Sequence, residues 1–340
     1  MIPILYKNTE TAFQTNGLGR LDALTGTVSR RLNDFDTLEL SYPSYGEHAG
    51  DLIPGNIIYC ETGEGPQPYR IYEVQKSFQT FEVYANHLSY DLCGYPVKPF
   101  TAQSASDAIG YLSTRAVIAT PFTFSTDLSV SAELVSDKPE SIRAVMGGSD
   151  NSILGVCGGE WRFDHYKCEL LTARGSDKGV EIRYGKNLTE LTAVGNNEEA
   201  YTGAFAYYSN SGTYVSSNVQ YLDQTAVPQK ILVTDHTGDF DSTPTTAQLD
   251  TLAANDLLNV GPLSSLSVSF IPTGGICLGD LVTVYYSDFD IRTKLEVVQT
   301  DYNVMLDRYD SIELGAILPT LAETIASLKE GEPWNQESIR

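Results

Sequence analysis

Cys157, Asp164, His165 and Cys168 lie close together in the chain, and they are the residue types of a thiolate nucleophile activated by an oriented imidazole. Their spacing argues for packing instead. EWRFDHY and KCELLTA read as paired strands, successive strand residues face opposite ways, and Asp164 and His165 are expected to point apart. The loop DHTGDFDS puts Asp235, Asp239 and Asp241 within seven residues. Oxygen ligands so spaced could hold calcium, but the EF-hand order and its terminal Glu are missing, so a solvated acidic turn is expected. The pair Glu198 and Glu199 has the chemistry of glycoside cleavage, yet adjacent carboxylates arise by chance in a chain with 44 acids.

Phosphate-binding patterns fare no better. Gly17 to Gly19 read G-L-G, but Asp22 stands where a third Gly is needed, and there is no G-K-[ST] box. No G-x-S-x-G elbow exists. Cys60, Cys93, Cys157, Cys168 and Cys277 are odd in number and contain no C-x-x-C pair, so neither a zinc site nor a disulfide framework is expected. His48, His87, His165 and His236 are scattered. The sequence thus assigns no catalytic residue, no cofactor-binding residue and no metal ligand, and it calls for no cofactor.

Charge narrows the partners. With 44 acidic against 22 basic side chains in 340 residues, the net charge of -22 repels nucleic acid and anionic lipid at long range. Sequence-specific nucleic-acid binding is disfavoured. No apolar run approaches the roughly 18 residues of a membrane helix, and MIPILYKNTETAF lacks the form of a secretory signal, so no membrane span and synthesis in the cytoplasm are expected.

The elements that must position these residues are mostly strands. In TLELSYP, Leu38 and Leu40 alternate with Glu39 and Ser41 at the period of a half-buried strand, and Asn33, Asp34 and Asp36 supply turn chemistry before it. Residues 1–95 read as short strands of a small barrel or sandwich. Residues 96–180 are mixed: Ala105, Ala108, Ile109, Leu112 and Ala116 share a helical face with Ser104 or Ser106 as cap, and short helices are expected across KPESIRAVM and NSILGVCGG. Strands return over 181–235. A helical insertion, 236–264, is expected to open with Thr243 as cap and Pro244 as first helical residue, with Leu249, Leu252, Ala253 and Leu257 on one face. Residues 265–316 resume the strands, and 317–340 end the chain with a helix marked by Leu321, Ile325 and Leu328.

One pattern recurs. IPGNIIYCETGEGPQPYRIYEVQ, Ile53 to Gln75, is echoed by CLGDLVTVYYSDFDIRTKLEVVQ, Cys277 to Gln299, with Gly55 matching Gly279, Arg70 matching Lys294 and Gln75 matching Gln299. TGAFAYY after Tyr201 more weakly echoes TGTVSRR after Leu24. Two similar units in one chain would let a ring of three subunits present six similar faces, an adaptor between sixfold and threefold objects.

GLGRLDALTGTVSRRLNDFDTLELSYP, YRIYEVQKSFQTFEVYANHLSYDL, EIRYGKNLTEL followed by YTGAFAYY, and DRYDSIELG resemble, in order, the signature stretches of siphophage and prophage tail hub proteins. That family is also called the tail-associated lysin N-terminal domain or prophage tail endopeptidase family. The resemblance runs from the first strand to about Gly315. It implies an α+β, predominantly β, baseplate-hub-like fold with two similar tube-type β-barrel domains and an inserted mixed α/β region. The first barrel is 1–95, and the second is 181–235 with 265–316. It further implies a homotrimer at the virion tail tip, helping to close the DNA channel. Implied neighbours are the distal tail protein and tail tube, the tape measure protein, and a tip or receptor-binding protein. Longer members continue into a peptidoglycan hydrolase or fibre; here the chain ends at EGEPWNQESIR, and no appended lysin is expected. Two other functions are weighed beside the structural one: a cell-wall endopeptidase using the middle block, and a carbohydrate-binding module whose exposed tyrosines stack on sugars.

Overall fold

The computed structural model describes residues 2–147, 151–183, 188–195, 201–210, 212–221, 224, 229–240, 242–259, 264–270, 275–286 and 291–316. Glu198, Glu199, Asp241 and the closing helix of Leu321, Ile325 and Leu328 lie outside them. The chain is mostly β and divides by contact into two units. The first comprises Met1–Glu190, Val268–Ile291 and Glu296–Leu314; the second comprises Leu191–Ser267, Arg292–Leu295 and Gly315–Arg340.

In the first unit, seven strands open the chain: β1 (Ile4–Tyr6), β2 (Gly19–Arg20), β3 (Thr25–Arg31), β4 (Asp36–Pro43), β5 (Ile57–Glu61), β6 (Pro66–Lys76) and β7 (Thr80–His87). Strict alternation builds the core. In β4, Asp36, Leu38, Leu40 and Tyr42 are buried while the residues between them are more exposed, so one face is withdrawn from water. Asp36 is therefore a buried strand residue rather than part of the turn assigned to it from sequence; the turn is made by Asn33, at φ 58. The sheet runs in the order β3-β4-β7-β6-β5-β1-β2. On the other side of β3, residues 299–303 pair antiparallel in the register Gln299 with Arg31 and Asn303 with Thr27. The strand Leu281–Tyr286 pairs in parallel with Asp177–Arg183. Both repeated hairpin openings thus belong to this unit. Among the described residues the strand path does not return on itself.

Among the described residues, the block after β7 carries three α-helices. α1 (Ala105–Thr114) starts where Ser104 Oγ accepts from Asp107 N at 3.1 Å, and it buries Ala105, Ala108, Ile109 and Leu112. Ala116 lies past its end, in an isolated bridge to Val97. α2 (Ile142–Met146) and α3 (Ile153–Cys157) are capped in the same way by Ser141 and Ser152. Beside them, Glu160–Asp164 pairs antiparallel with Lys167–Leu171, which pairs in parallel with Thr123–Thr126.

The second unit centres on Gly203–Asn210, flanked by Thr213–Ser216, Gln220–Tyr221 and Ile231–Asp235. α4 (Thr246–Asn259) packs Leu249, Ala253 and Leu257 against Ala204, Ala206 and Tyr208. Its start differs from the Thr243–Pro244 expectation. Thr245 Oγ1 accepts from Gln248 N at 3.4 Å while Gln248 Oε1 accepts from Thr245 N at 2.9 Å, a reciprocal capping box that satisfies two otherwise orphaned donors. Among the described residues no helix is long and apolar enough to cross a membrane.

Candidate functional site

Asp164 and His165 meet, contrary to the alternation argument. The strand ends at Asp164, and His165 occupies the turn at φ 54, a left-handed conformation in which strand alternation no longer sets side-chain direction. His165 Nδ1 lies 2.6 Å from Asp164 Oδ1, and its Nε2 lies 3.1 Å from the Tyr59 hydroxyl. Gln67 closes the arrangement: its Oε1 accepts from His165 N at 2.9 Å, and its Nε2 donates to Asp164 Oδ1 at 3.1 Å. The thiols do not complete a nucleophilic site. Cys168 is fully buried opposite Phe163, and burial pushes its pKa up to about 12. Cys157 closes α3, and burial raises its pKa too. A protonated thiol is a poor nucleophile. The dyad's visible work is to pin the 164–167 turn onto β5 and β6.

A buried charge cluster was missed from sequence, although a signal was present. In β3, Gly26, Val28 and Arg30 share the buried face, so strict alternation sends a cation into the core. Arg30 Nε is 3.2 Å from Asp36 Oδ2, and its Nη1 is 3.2 Å from Glu64 Oε2. Arg174 Nη2 reaches the same Glu64 oxygen at 2.8 Å. Glu64 Oε1 accepts from Leu278 N at 2.7 Å, and Tyr69 donates its hydroxyl to Asp36 at 2.8 Å. Burial alone would raise the pKa of Glu64, but Arg30, Arg174 and the Leu278 amide outweigh it and bring it down to about 2. A single carboxylate in the β5–β6 loop therefore ties β3, residue 174 and the start of the second hairpin together.

The two hairpins open alike. Gly55 and Gly279 sit at φ 97 and 87, a region that favours glycine. Gly55 N donates to Ile71 O at 2.8 Å and Ile71 N to Asn56 O at 2.9 Å; Gly279 N donates to Val297 O at 2.8 Å and Val297 N to Asp280 O at 2.9 Å. The glycines match as the sequence spacing predicts, but the return strands do not. The bonded partner lies two residues farther along in the second copy, so Arg70 and Lys294 are not equivalent. The outgoing strand Leu281–Tyr286 is one residue longer than Ile57–Glu61.

The acidic loop of the second unit spends its carboxylates internally. Asp235 Oδ1 accepts from Thr237 N at 2.9 Å, and Asp239 lies 2.5 Å from His236 Nδ1. His236 Nε2 is 2.8 Å from Asp256 of α4. Among the described residues no group of three or more His, Cys, Asp or Glu could hold a metal ion.

The fold as a whole is similar to that of solved phage tail proteins. The solved structures that share it include prophage tail protein gp18 from Listeria monocytogenes EGD-e, with 14% identity and a TM-score of 0.62 over 97% of this chain and 99% of that one. The 43 kDa tail protein of prophage MuSo2 from Shewanella oneidensis matches with 10% identity and a TM-score of 0.65 over 92% and 98%. A tail protein from Neisseria meningitidis MC58 matches with 11% identity and a TM-score of 0.64 over 93% and 96%. At such identities the likeness is one of fold. No family model matches the sequence, and no curated protein does.

Proposed function

We propose that this chain is a structural component of a phage or prophage tail, acting as a trimeric hub at the tail tip. Residues 1–95 form one tube-type region, 181–235 with 265–316 form its counterpart, and 96–180 is inserted between them. Three chains would then offer six related faces to the tail tube and distal tail ring above and a threefold face to the tip below, narrowing the channel that DNA must leave by. The observation that carries the tail assignment is the fold match over at least 92% of the chain to three tail proteins. The matched opening bonds at Gly55 and Gly279 support the sixfold argument, because they give one chain two copies of a local geometry. The buried charges of Arg30, Glu64 and Arg174 also suit a static role, because they satisfy one another.

Imaging of particles labelled on this chain tests the proposal. Density at the tail tip with three copies per particle is the expected result. Label along the shaft, at the head, or in six copies would overturn the hub assignment.

A further inference from the structure

Five arginines among the described residues are buried or half-buried: Arg30, Arg70, Arg143, Arg162 and Arg174. Four of them have a carboxylate within 3.2 Å. Arg143 makes no ion pair among the described residues, in a chain where acids outnumber bases 44 to 22. It projects from α2 into a cleft of about 230 Å³ whose walls include Asn33, Asp34, Tyr90, Trp161 and Phe163.

The cation is held but not neutralised. Its guanidinium lies 4.6 Å from the Tyr90 ring centre and 5.0 Å from that of Phe163, and two flanking rings compensate only part of the cost of withdrawing a charge from water. Nη2 donates to Asp34 O at 3.2 Å and Nη1 reaches Ser89 Oγ at 3.5 Å. Nε and the remaining Nη hydrogens have no acceptor among the described residues. The N–H groups still free of acceptors lie in the guanidinium plane, where a planar fork matches a planar carboxylate. Trp161 stiffens the wall, stacking on Phe163 at 6.0 Å and donating its Nε1 hydrogen to Met146 O at 3.2 Å.

We propose that this cleft is a carboxylate-binding notch with Arg143 as the recognising cation. Its volume is below the roughly 300–1,000 Å³ of pockets that enclose drug-sized ligands, so it takes a side-chain-sized acid. The exposed Asp34 carboxylate at the wall penalises a dianionic head more than a singly charged one. The group comes either from a free small acid or from an acidic side chain of a protein partner.

Trp161 is the reporter, in a Trp334→Phe background so that it is the sole indole. Its fluorescence is titrated with succinate, with a blocked Asp-Glu dipeptide and with inorganic phosphate, against potassium chloride at matched ionic strength. A saturable change with either carboxylate and none with chloride is expected. Arg143→Gln should weaken binding about tenfold or more, the loss of a charged hydrogen bond, with Arg143→Lys between the two. Asp34→Asn, on an exposed residue, should tighten it and stands in if the Arg143 variants fold poorly. Tighter binding of the dipeptide assigns a protein partner, and tighter binding of succinate a free acid. The proposal is overturned if neither carboxylate saturates, if phosphate binds most tightly, if Arg143→Gln binds as wild type does, or if Asp34→Asn leaves affinity unchanged.

Discussion

The two hairpin openings share a backbone and differ in surroundings. A Cβ built on Gly55 would approach nothing closer than Asn8 Cβ, at 3.9 Å. One built on Gly279 would lie 3.0 Å from Gly175 N, 3.2 Å from Arg174 Cβ and 3.4 Å from Glu160 Oε2. Asn56, after the first glycine, accepts from Asn8 N at 3.2 Å through a neutral amide. Asp280, after the second, takes Ser176 N at 2.9 Å, Cys277 N at 2.7 Å and Lys178 Nζ at 2.7 Å. A repeated local geometry therefore does not carry a repeated energetic weight. The first opening stands largely in the open, whereas the second is packed against Arg174 and Gly175 and wired to Glu64.

Four perturbations would sharpen or erase that contrast. Glu64→Gln should cost most, about 3–5 kcal/mol, because it leaves Arg174 and part of Arg30 buried without a counter-charge; urea unfolding midpoints measure it. Gly175→Ala comes next, at about 3 kcal/mol, since its Cβ would fall 2.1 Å from the carbonyl carbon of Gly279 and the backbone must move. Gly279→Ala should lose about 2 kcal/mol from conformation and crowding together, and Gly55→Ala about 1 kcal/mol from conformation alone. Equal losses at the two glycines would erase the distinction.

The smallest effect is on pH dependence, where the same contrast of surroundings separates two histidines. Burial lowers the pKa of His87 to about 4. Its contribution is complete above the ordinary histidine value of about 6.5 and is lost as pH falls toward 4. Burial also disfavours charge on His236, but the hydrogen bonds to Asp256 and Asp239 outweigh it and raise its pKa. Its contribution is complete below about 6.5 and is lost as pH rises through the raised value. Hydrogen exchange should therefore show first-unit amides losing protection on acidification and those of α4 on alkalinisation. His87→Phe and His236→Gln should each flatten one slope.

Much of this was legible because it is local. Alternation in TLELSYP, the Ser104 cap and the apolar face of α4 each depend on residues a few positions apart. The meeting of Asp164 and His165 was not, because it turns on a non-glycine residue adopting positive φ. The Arg30 cluster was half legible. Alternation gives its inward direction, but Glu64, Arg174 and Leu278 come from remote segments whose approach only the tertiary fold decides. The Gly55–Gly279 correspondence was readable as a motif, and the shift in its return strand was not, since spacing alone does not fix where a return strand pairs. The resemblance to tail proteins held for the same reason that the motifs did: ordered strand patterns survive where overall identity falls to between 10% and 14%.

The antiparallel register joining Gln299–Asn303 to β3 has a consequence for how the protein is made. At about 5–20 residues per second, the ribosome takes on the order of tens of seconds to deliver that partner after β3 has emerged. Throughout that interval one edge of β3 is an open template for any passing strand. Arg31, an exposed cation at that margin, would discourage premature annealing between nascent chains.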